Sequence, residues 1–348
     1  MTLNEPTPEL SPAEVYRAAH EAGVGVYLSA RGLIELKGRS RLELIHRMST
    51  QAVKELPEWH GAATVLTTDI GRIIDRVMLY ASDDRVLMLT GDGHADALVN
   101  YLRRNTFYND DLQVTKLGGL LLLGVYGTRA GEMLAEVGLE TEALPLHHWR
   151  VSSVPVVNAQ IAPIDPGGGR PRAQKLEAFE MFCMIFRADA IAGDGYYLLI
   201  EQQKAEPLLT LLSLAGLTPI DEETYDYLRI EAGQPRFGHE LTLDYIPLEA
   251  GLWDDVSFSK GCYTGQEIIA RMESRGKLAK RLTRLRPASP VAAGAEITAN
   301  GRAVGTITSA AAGPAGPVAL GYVKTGVLDE GAELTAAGVP LRVVTSGE

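Results

Sequence analysis

The sequence changes character after Arg281, and this change constrains the fold more than any other feature. The last part of the chain consists of short β-type segments separated by Gly, Ala and Pro, without a long helical pattern. Such a segment is typical of a small β-barrel or sandwich. Before Arg281, helical and strand-like patterns mix without a regular βαβ alternation, which predicts the α+β class.

Three capping boxes, with Ser or Thr three residues before Glu, predict where helices begin. They are Ser11-Pro12-Ala13-Glu14, Ser40-Arg41-Leu42-Glu43 and Thr264-Gly265-Gln266-Glu267. Two apolar runs at 62–67 and 72–80 flank Asp69-Ile70-Gly71, a pattern that indicates a β-hairpin.

The chain of 348 residues is too long for a single compact core, so we expect two or three domains. The patterns predict a flexible tail at 1–10, a composite α+β region of two sub-domains at 11–280, and a C-terminal β-barrel at 281–348. We find no internal repeat.

Charge and cysteine content exclude several classes of protein. The net charge of −11 is opposite to that of a generic nucleic-acid or anionic-membrane binder. The longest strongly apolar stretch, 117–127, is too short to span a bilayer. The two cysteines fit a reducing cytoplasm and cannot form a disulfide framework. They also cannot hold an iron–sulfur cluster alone, because such clusters take about four thiolates. We therefore expect a cytoplasmic protein without a resident metal.

Cys262 lies in "KGCYTGQE", residues 260–267, two residues before the predicted N-cap Thr264. The helix N-terminus and the positive charge of Lys260 would both favour the thiolate form. The alternative is an inert, buried cysteine, which is the commoner fate of free cysteines. Cys183, in the apolar strand pattern "EMFCMIF", is predicted to be such a core residue.

Asp75 interrupts an apolar strand face. In the predicted strand around it, Asp75 shares a face with Ile73, Val77 and Leu79, so the carboxylate should be buried and needs partners. One interpretation is a structural salt bridge, for example with an arginine. The other is a pocket carboxylate that binds hydrogen-bond donors of a ligand.

The stretch from Lys260 to Arg286 contains eight Lys or Arg and two Glu. A basic run of this kind is usually a solvated helix face, but it could also attract a polyanionic ligand tail or RNA. The acidic remainder of the chain and the lack of an aromatic stacking platform count against direct nucleic-acid binding.

Several of these segments resemble one family. "KGCYTGQE", with Arg271, Arg275 and Gly276 after it, resembles the signature of the YgfZ-type folate-binding proteins, the iron–sulfur assembly branch of the glycine-cleavage T-protein superfamily. "RIEAGQPRFGHEL" at 229–241, "GRIIDRVMLY" and "AGDGYYLLI" resemble further blocks of that superfamily. The resemblance extends from about residue 25 to about residue 345.

The resemblance implies three domains in a cloverleaf around a central folate pocket, with the barrel as the third leaf. It implies tetrahydrofolate or a derivative as ligand, bound by the region 11–280. Cys262 and Asp75 become the candidate catalytic residues, with Asp75 accepting hydrogen bonds from the pterin edge. The candidate ligand-binding residues are Asp75, Tyr197, Arg229, Lys260, Arg271 and Arg275, of which Lys260, Arg271 and Arg275 could meet the glutamate tail.

Two departures from the aminomethyltransferases of this superfamily bear on activity. Arg76 stands where those enzymes have the second of two acids, and Tyr197 aligns with the glutamate that anchors their pterin.

The resemblance implies a folate-binding accessory factor in iron–sulfur cluster assembly or repair, supporting enzymes such as tRNA-modifying ones. Its partners would be iron–sulfur client or assembly proteins. The alternative is a folate-dependent aminomethyl- or methyltransferase, so whether the protein is an enzyme stays open.

Overall fold

The computed structural model describes residues 10–158, 177–276 and 278–345, and only the backbone of 155–158, 177–179 and 275. Apart from Leu10, the predicted flexible tail lies outside these ranges. No helix within them combines the length and apolar character needed to cross a membrane.

The helices are α1 (Pro12–Glu21), α2 (Arg41–Met48), α3 (Ala95–Arg104), α4 (Ala130–Glu136), α5 (Ala205–Leu214), α6 (Glu222–Ala232), α7 (Gln266–Arg275) and α8 (Thr325–Asp329). The strands of the first 219 residues are β1 (Val24–Tyr27), β2 (Arg31–Lys37), β3 (Gly61–Thr67), β4 (Ile73–Ala81), β5 (Arg85–Asp92), β6 (Gln113–Leu117), β7 (Leu120–Gly127), β8 (Trp149–Asn158), β9 (Glu177–Ala188), β10 (Asp194–Glu201) and β11 (Thr218–Pro219). The later strands are β12 (Lys280–Pro287), β13 (Glu296–Ala299), β14 (Arg302–Gly313), β15 (Gly316–Lys324), β16 (Leu334–Ala336) and β17 (Val339–Val343).

These strands form three units, which confirms the α+β class and the C-terminal barrel. A five-stranded sheet has the order β3-β4-β5-β2-β6, and a six-stranded sheet has the order β11-β1-β7-β10-β9-β8. The strands β12-β15-β14-β13-β16-β17 close into a barrel. The predicted hairpin is β3–β4, with Val65 opposite Arg76. Each unit buries its own apolar cluster, and a further cluster joins residues of both sheets, α6 and the barrel.

Of the three predicted capping boxes, only the first forms. The Ser11 hydroxyl accepts a hydrogen bond from the Glu14 amide, and the Glu14 carboxylate accepts one from the Ser11 amide at 2.8 Å. Ser40 makes no cap, because its hydroxyl accepts from the amide of Asp111 at 3.1 Å.

The prediction that Thr264 caps α7 is wrong, since Gly265 is the N-cap and no side chain caps the helix. Gly265 has φ 83°, and a Cβ there would lie 2.5 Å from the carbonyl oxygen of Thr68. The Thr264 carbonyl instead accepts a 2.6 Å hydrogen bond from Thr67. Close packing of this loop on the β3–β4 hairpin therefore overrides the local capping preference.

A buried ion pair joins α6 to the barrel. The Arg229 guanidinium donates to Glu240 and to the hydroxyl of Ser309, at 2.7 and 2.6 Å. Ser309, on β14, donates in turn to Glu240 at 2.6 Å. Arg229 is 2% exposed and Glu240 fully buried, so each charge depends on the other.

We predict that Arg229→Met lowers the free energy of unfolding by about 3–5 kcal/mol, because it leaves the Glu240 carboxylate buried without its cation. Urea denaturation measures the loss. The matched control is Arg281→Met, which removes an exposed pair with Asp329 and should cost less than about 1 kcal/mol. Equal losses in the two variants would contradict this account of the network.

Candidate functional site

Asp75 lies on the buried face of β4, as the alternation predicts, and is fully buried. Its Oδ2 accepts hydrogen bonds from the Gly91 amide at 2.9 Å and from His94 Nδ1 at 3.1 Å. Its Oδ1 has no partner among the described residues. Of the two interpretations, neither an arginine salt bridge nor a ligand is what holds this carboxylate within the described residues: a histidine and a backbone amide do.

Protein atoms cover the Asp75 carboxylate closely. A Cβ on Gly91 would lie 2.7 Å from Asp75 Oδ1 and 2.5 Å from the Phe237 Cβ, so only glycine fits between them. The His94 ring stacks on Phe237 with 4.3 Å between centroids. Burial raises the pKa of Asp75, and the hydrogen bonds from His94 and Gly91 oppose this rise.

The central cavity lies where both sheets and α6 meet and has a volume of about 40 Å³. Its charged and phenolic lining residues are Arg31, Arg76, Arg229, Arg236, Asp92, Asp189, Glu222, Tyr197 and Tyr225. Among the residues that the structure describes, neither Asp75 nor Cys262 contributes to this lining. Within the described part of the chain, this cavity is therefore not shared by the carboxylate and the thiol.

Arg76 connects three parts of the chain at this cavity. Its Nη1 donates to Asp189, which follows β9, at 2.7 Å. Its Nε donates to Asp255, in the segment before α7, at 2.6 Å. Burial alone would raise the pKa of Asp189, but the Arg76 guanidinium outweighs this effect and holds the pKa below its ordinary value.

Arg31 is the fourth arginine that lines the cavity, and it differs from the other three in the partners of its guanidinium. Arg76, Arg229 and Arg236 each pair with at least two acids. Arg31 donates to the Tyr197 hydroxyl at 3.3 Å and lies over the Tyr197 ring at 5.5 Å. Within the described ranges, no carboxylate forms an ion pair with it.

The arrangement does not fit a pterin ring as it stands. Ligand pockets for molecules of this class have volumes of about 300–1,000 Å³, far above the 40 Å³ of the cavity. Tyr197, predicted at the pterin position, lines the cavity but is engaged by Arg31. Asp75 is not among the residues that line this cavity, and its role toward a ligand stays a prediction, for which its free Oδ1 could accept a hydrogen bond.

Cys262 is exposed, in the loop that precedes α7. Lys260 fixes this loop: its ammonium donates to the carbonyl oxygens of His46, Ser49 and Gln51, the last two at 2.7 and 2.9 Å. Burial lowers the pKa of Lys260 to about 8, and the three carbonyl oxygens favour its protonated form at neutral pH. Because all three N–H groups are engaged, Lys260 has no donor left for a glutamate tail.

The rest of the basic run does not form one free cationic surface. Arg281 pairs with Asp329, and Arg286 pairs with Glu231. Arg271 is exposed on α7 and could still meet an anion. Arg275 ends the same helix, and its side chain lies outside the described part of the structure.

The residues that sequence reasoning missed are those brought in by distant segments: His94, Arg31, Asp189 and Asp255. Arg31 reaches the cavity because β2 and β5 pair, which sets it opposite Asp92. Asp255 lies in a segment without periodicity, so no local pattern marks it.

Two domain families match this chain. The GCVT N-terminal domain matches residues 11–164, and the glycine cleavage T-protein C-terminal barrel domain matches residues 280–346. The chain is thus similar, in its N-terminal part and at its C-terminal end, to two domains of glycine cleavage T-proteins. This similarity does not distinguish one branch of the superfamily from another.

Relatives over most of the chain have transferase names. A chloroplastic Arabidopsis thaliana protein named as a transferase is 25% identical over 308 residues, which is 86% of this chain and 65% of that protein. This chain therefore spans less than two thirds of the length of that relative. The aminomethyltransferase of Corynebacterium jeikeium is 25% identical over 344 residues, covering 92% of this chain and 84% of the relative.

A solved structure shows the same fold. The glycine cleavage system aminomethyltransferase T from Bartonella henselae superposes with a TM-score of 0.80 at 22% identity. The match covers 97% of this chain and 89% of the other.

We predict that the native protein reacts with one equivalent of a thiol reagent such as Ellman's reagent. Cys262 is exposed, whereas Cys183 is fully buried and its burial raises its pKa to about 12. Cys262→Ser should remove the reaction and Cys183→Ala should preserve it. Two equivalents in the folded wild type would show that the structure misplaces Cys183.

We also predict an acid-sensitive contribution from Asp189. Because its folded pKa lies below the unfolded value, its ionised form stabilises the protein above about pH 4, and this stabilisation is lost as the pH falls through the folded pKa. The free energy of unfolding is measured with denaturant between pH 2 and 6. As the pH falls, it should decrease less steeply in Asp189→Asn than in the wild type. In the exposed control Asp96→Asn, the free energy of unfolding should depend on pH as in the wild type. The same pH dependence in all three proteins would refute the pairing of Asp189 with Arg76.

Proposed function

We propose that this protein is a folate-family accessory factor in iron–sulfur cluster assembly or repair that acts through Cys262. The observation that carries the proposal is the exposed Cys262 thiol on a loop whose backbone is fixed by Lys260. That loop contains the segment that resembles the iron–sulfur branch of the superfamily. Because the loop is already fixed, the thiol loses less conformational entropy when it binds a metal or a partner.

Two cysteines cannot hold a cluster, so the thiol would act with a partner protein. In this proposal Cys262 loses its proton and its thiolate donates an electron pair to an iron atom of the client's cluster. The client or an assembly protein supplies the other ligands. The second chemistry open to the same thiolate is thiol–disulfide exchange, in which it bonds to one sulfur of a disulfide and the other sulfur leaves as a thiolate. A free exposed thiol also favours a reducing compartment such as the cytoplasm.

Tetrahydrofolate is the ligand that the family resemblance implies for this protein. Since the cavity is too small for a pterin, the proposal requires that the contact between Arg31 and Tyr197 opens before folate binds. Arg271 is the predicted tail-binding residue that remains exposed with a described side chain. Its contact with a folate tail stays a prediction.

The alternative is an aminomethyl- or methyltransferase, which the names of the relatives favour. The observation on its side is the unpartnered, buried Oδ1 of Asp75, which could orient a donor near a transferred carbon. Against it stands Arg76, which replaces the second acid and is held by Asp189 and Asp255.

We predict that Cys262→Ala fails to restore iron–sulfur enzyme activity in cells that lack the wild-type protein. Cys183→Ala is the control and should restore activity, because Cys183 is a core residue. Enzyme activity is compared at equal levels of folded protein. Full rescue by Cys262→Ala would remove the thiol from the mechanism.

An assay of catalytic turnover distinguishes the accessory-factor function from the transferase function. We expect measurable binding of tetrahydrofolate to the purified protein without release of ammonia or methylenetetrahydrofolate from an aminomethyl donor. Sustained turnover, reduced by Asp75→Asn, would favour the transferase instead.

A further inference from the structure

His46, in the last turn of α2, holds the loop that follows this helix. Its Nδ1 accepts hydrogen bonds from two backbone amides, those of Val53 and Lys54, each at 3.2 Å. A backbone N–H group can only donate, so both contacts need a lone pair on Nδ1, and the neutral ring carries its proton on Nε2. Protonation of His46 places a second N–H on the ring, at Nδ1, and abolishes both hydrogen bonds.

The loop after α2, residues 49–54, also fixes Lys260. The Lys260 ammonium donates to the carbonyl oxygens of Ser49 and Gln51 at 2.7 and 2.9 Å, and to that of His46. The two amides held by His46 follow Gln51 by two and three residues. Loss of their hydrogen bonds therefore frees the part of the loop next to the Gln51 carbonyl and weakens one of the three contacts of Lys260.

The charged groups that act on His46 come from three elements. Lys260, from the segment before α7, and Lys54, from the loop after α2, oppose a positive charge on the ring, whereas Glu43 of α2 favours it. Glu43 is already engaged by Lys54 at 2.8 Å. Burial, with the nearby charge of Lys260, lowers the pKa of His46. The closed loop therefore favours the neutral ring, and an open loop would return the ring to its ordinary pKa.

We propose that His46 is a pH-sensitive switch that holds the Cys262 loop, residues 257–264, when it is neutral and loosens it when it is protonated. Below about pH 6.5, the ordinary pKa of a histidine, the open form gains a proton that the closed form disfavours, so opening becomes easier as the pH falls. The weakened contact with Gln51 then leaves Lys260, and the thiol two residues after it, less firmly held. The effect on the chemistry of Cys262 rests on the proposed function, whereas the switch itself does not.

Amide hydrogen exchange, followed by NMR on the intact protein and expressed as protection factors, tests the proposal. From about pH 7.5 to about pH 5, protection of the Val53 and Lys54 amides should fall by at least about threefold. The Lys260 amide, which donates to the Ser257 hydroxyl at 3.2 Å, should lose protection over the same range. The amides of β15 in the barrel should keep theirs, which shows that the opening is local. Constant protection at Val53 and Lys54, or at Lys260, would overturn the proposal.

Two variants assign the switch to His46. His46→Asn keeps an acceptor near the position of Nδ1 but does not titrate, so protection of the two amides should no longer depend on pH. His60→Asn is the matched control, because Nδ1 of His60 donates to the Glu58 carbonyl at 2.8 Å instead of accepting from an amide, and it should retain the wild-type pH dependence. A folded His46→Asn protein with the wild-type pH dependence would contradict the assignment.

If His46→Asn does not fold, the ring resonances of His46 in the wild type replace this variant. Their titration midpoint should coincide with the pH at which the Val53 and Lys54 amides lose protection, and separate midpoints would contradict the assignment. None of these measurements involves cluster chemistry. Full rescue by Cys262→Ala would therefore remove the thiol function and leave the switch standing, while pH-independent protection would remove the switch alone.

Discussion

The ion pairs of Arg76 are the interaction on which the rest of the site depends. One guanidinium from the five-stranded sheet holds Asp189, which directly follows strand β9 of the six-stranded sheet, and Asp255 of the segment that leads to Cys262. All three side chains are largely buried, so none can be left unpaired without a large cost in stability. The pairs therefore fix how the two sheets and the loop segment meet.

The same ion pairs also limit the space in the central cavity and therefore what the cavity can bind. With Arg76 held between two acids and Tyr197 engaged by Arg31, the cavity is reduced to about 40 Å³. The fold is similar to that of a solved aminomethyltransferase, and at the centre of this chain Arg76 lies between Asp189 and Asp255. Under the proposed function, the exposed Cys262, which does not line this cavity, is the group that reacts with a partner.

Patterns confined to one segment could be predicted from the sequence. The Ser11 cap, the β3–β4 hairpin, the burial of Asp75 and the C-terminal barrel all follow from local composition and alternation. The barrel was predictable because short strands between turn residues have few other compact solutions.

Features set by distant contacts could not be predicted. Thr264 has the sequence of a cap, yet the approach of Gly265 to the β3–β4 hairpin moves the helix start by one residue. Lys260 looked like a free cation beside the thiol, but carbonyl oxygens in the last turn of α2 and just after it take all its donors. The partners of Asp75 likewise come from the end of β5 and the turn after it, which no spacing near Asp75 specifies.

The central claim is that the surface thiol carries the function and the closed cavity does not. The most direct measurement is the rate at which a purified, oxidatively damaged iron–sulfur enzyme regains its cluster in the presence of this protein. Cys262 is first alkylated with N-ethylmaleimide under native conditions, which leaves the buried Cys183 and the cavity intact. The account predicts that alkylation reduces the rate to that without the protein, and an undiminished rate with fully alkylated Cys262 would contradict it.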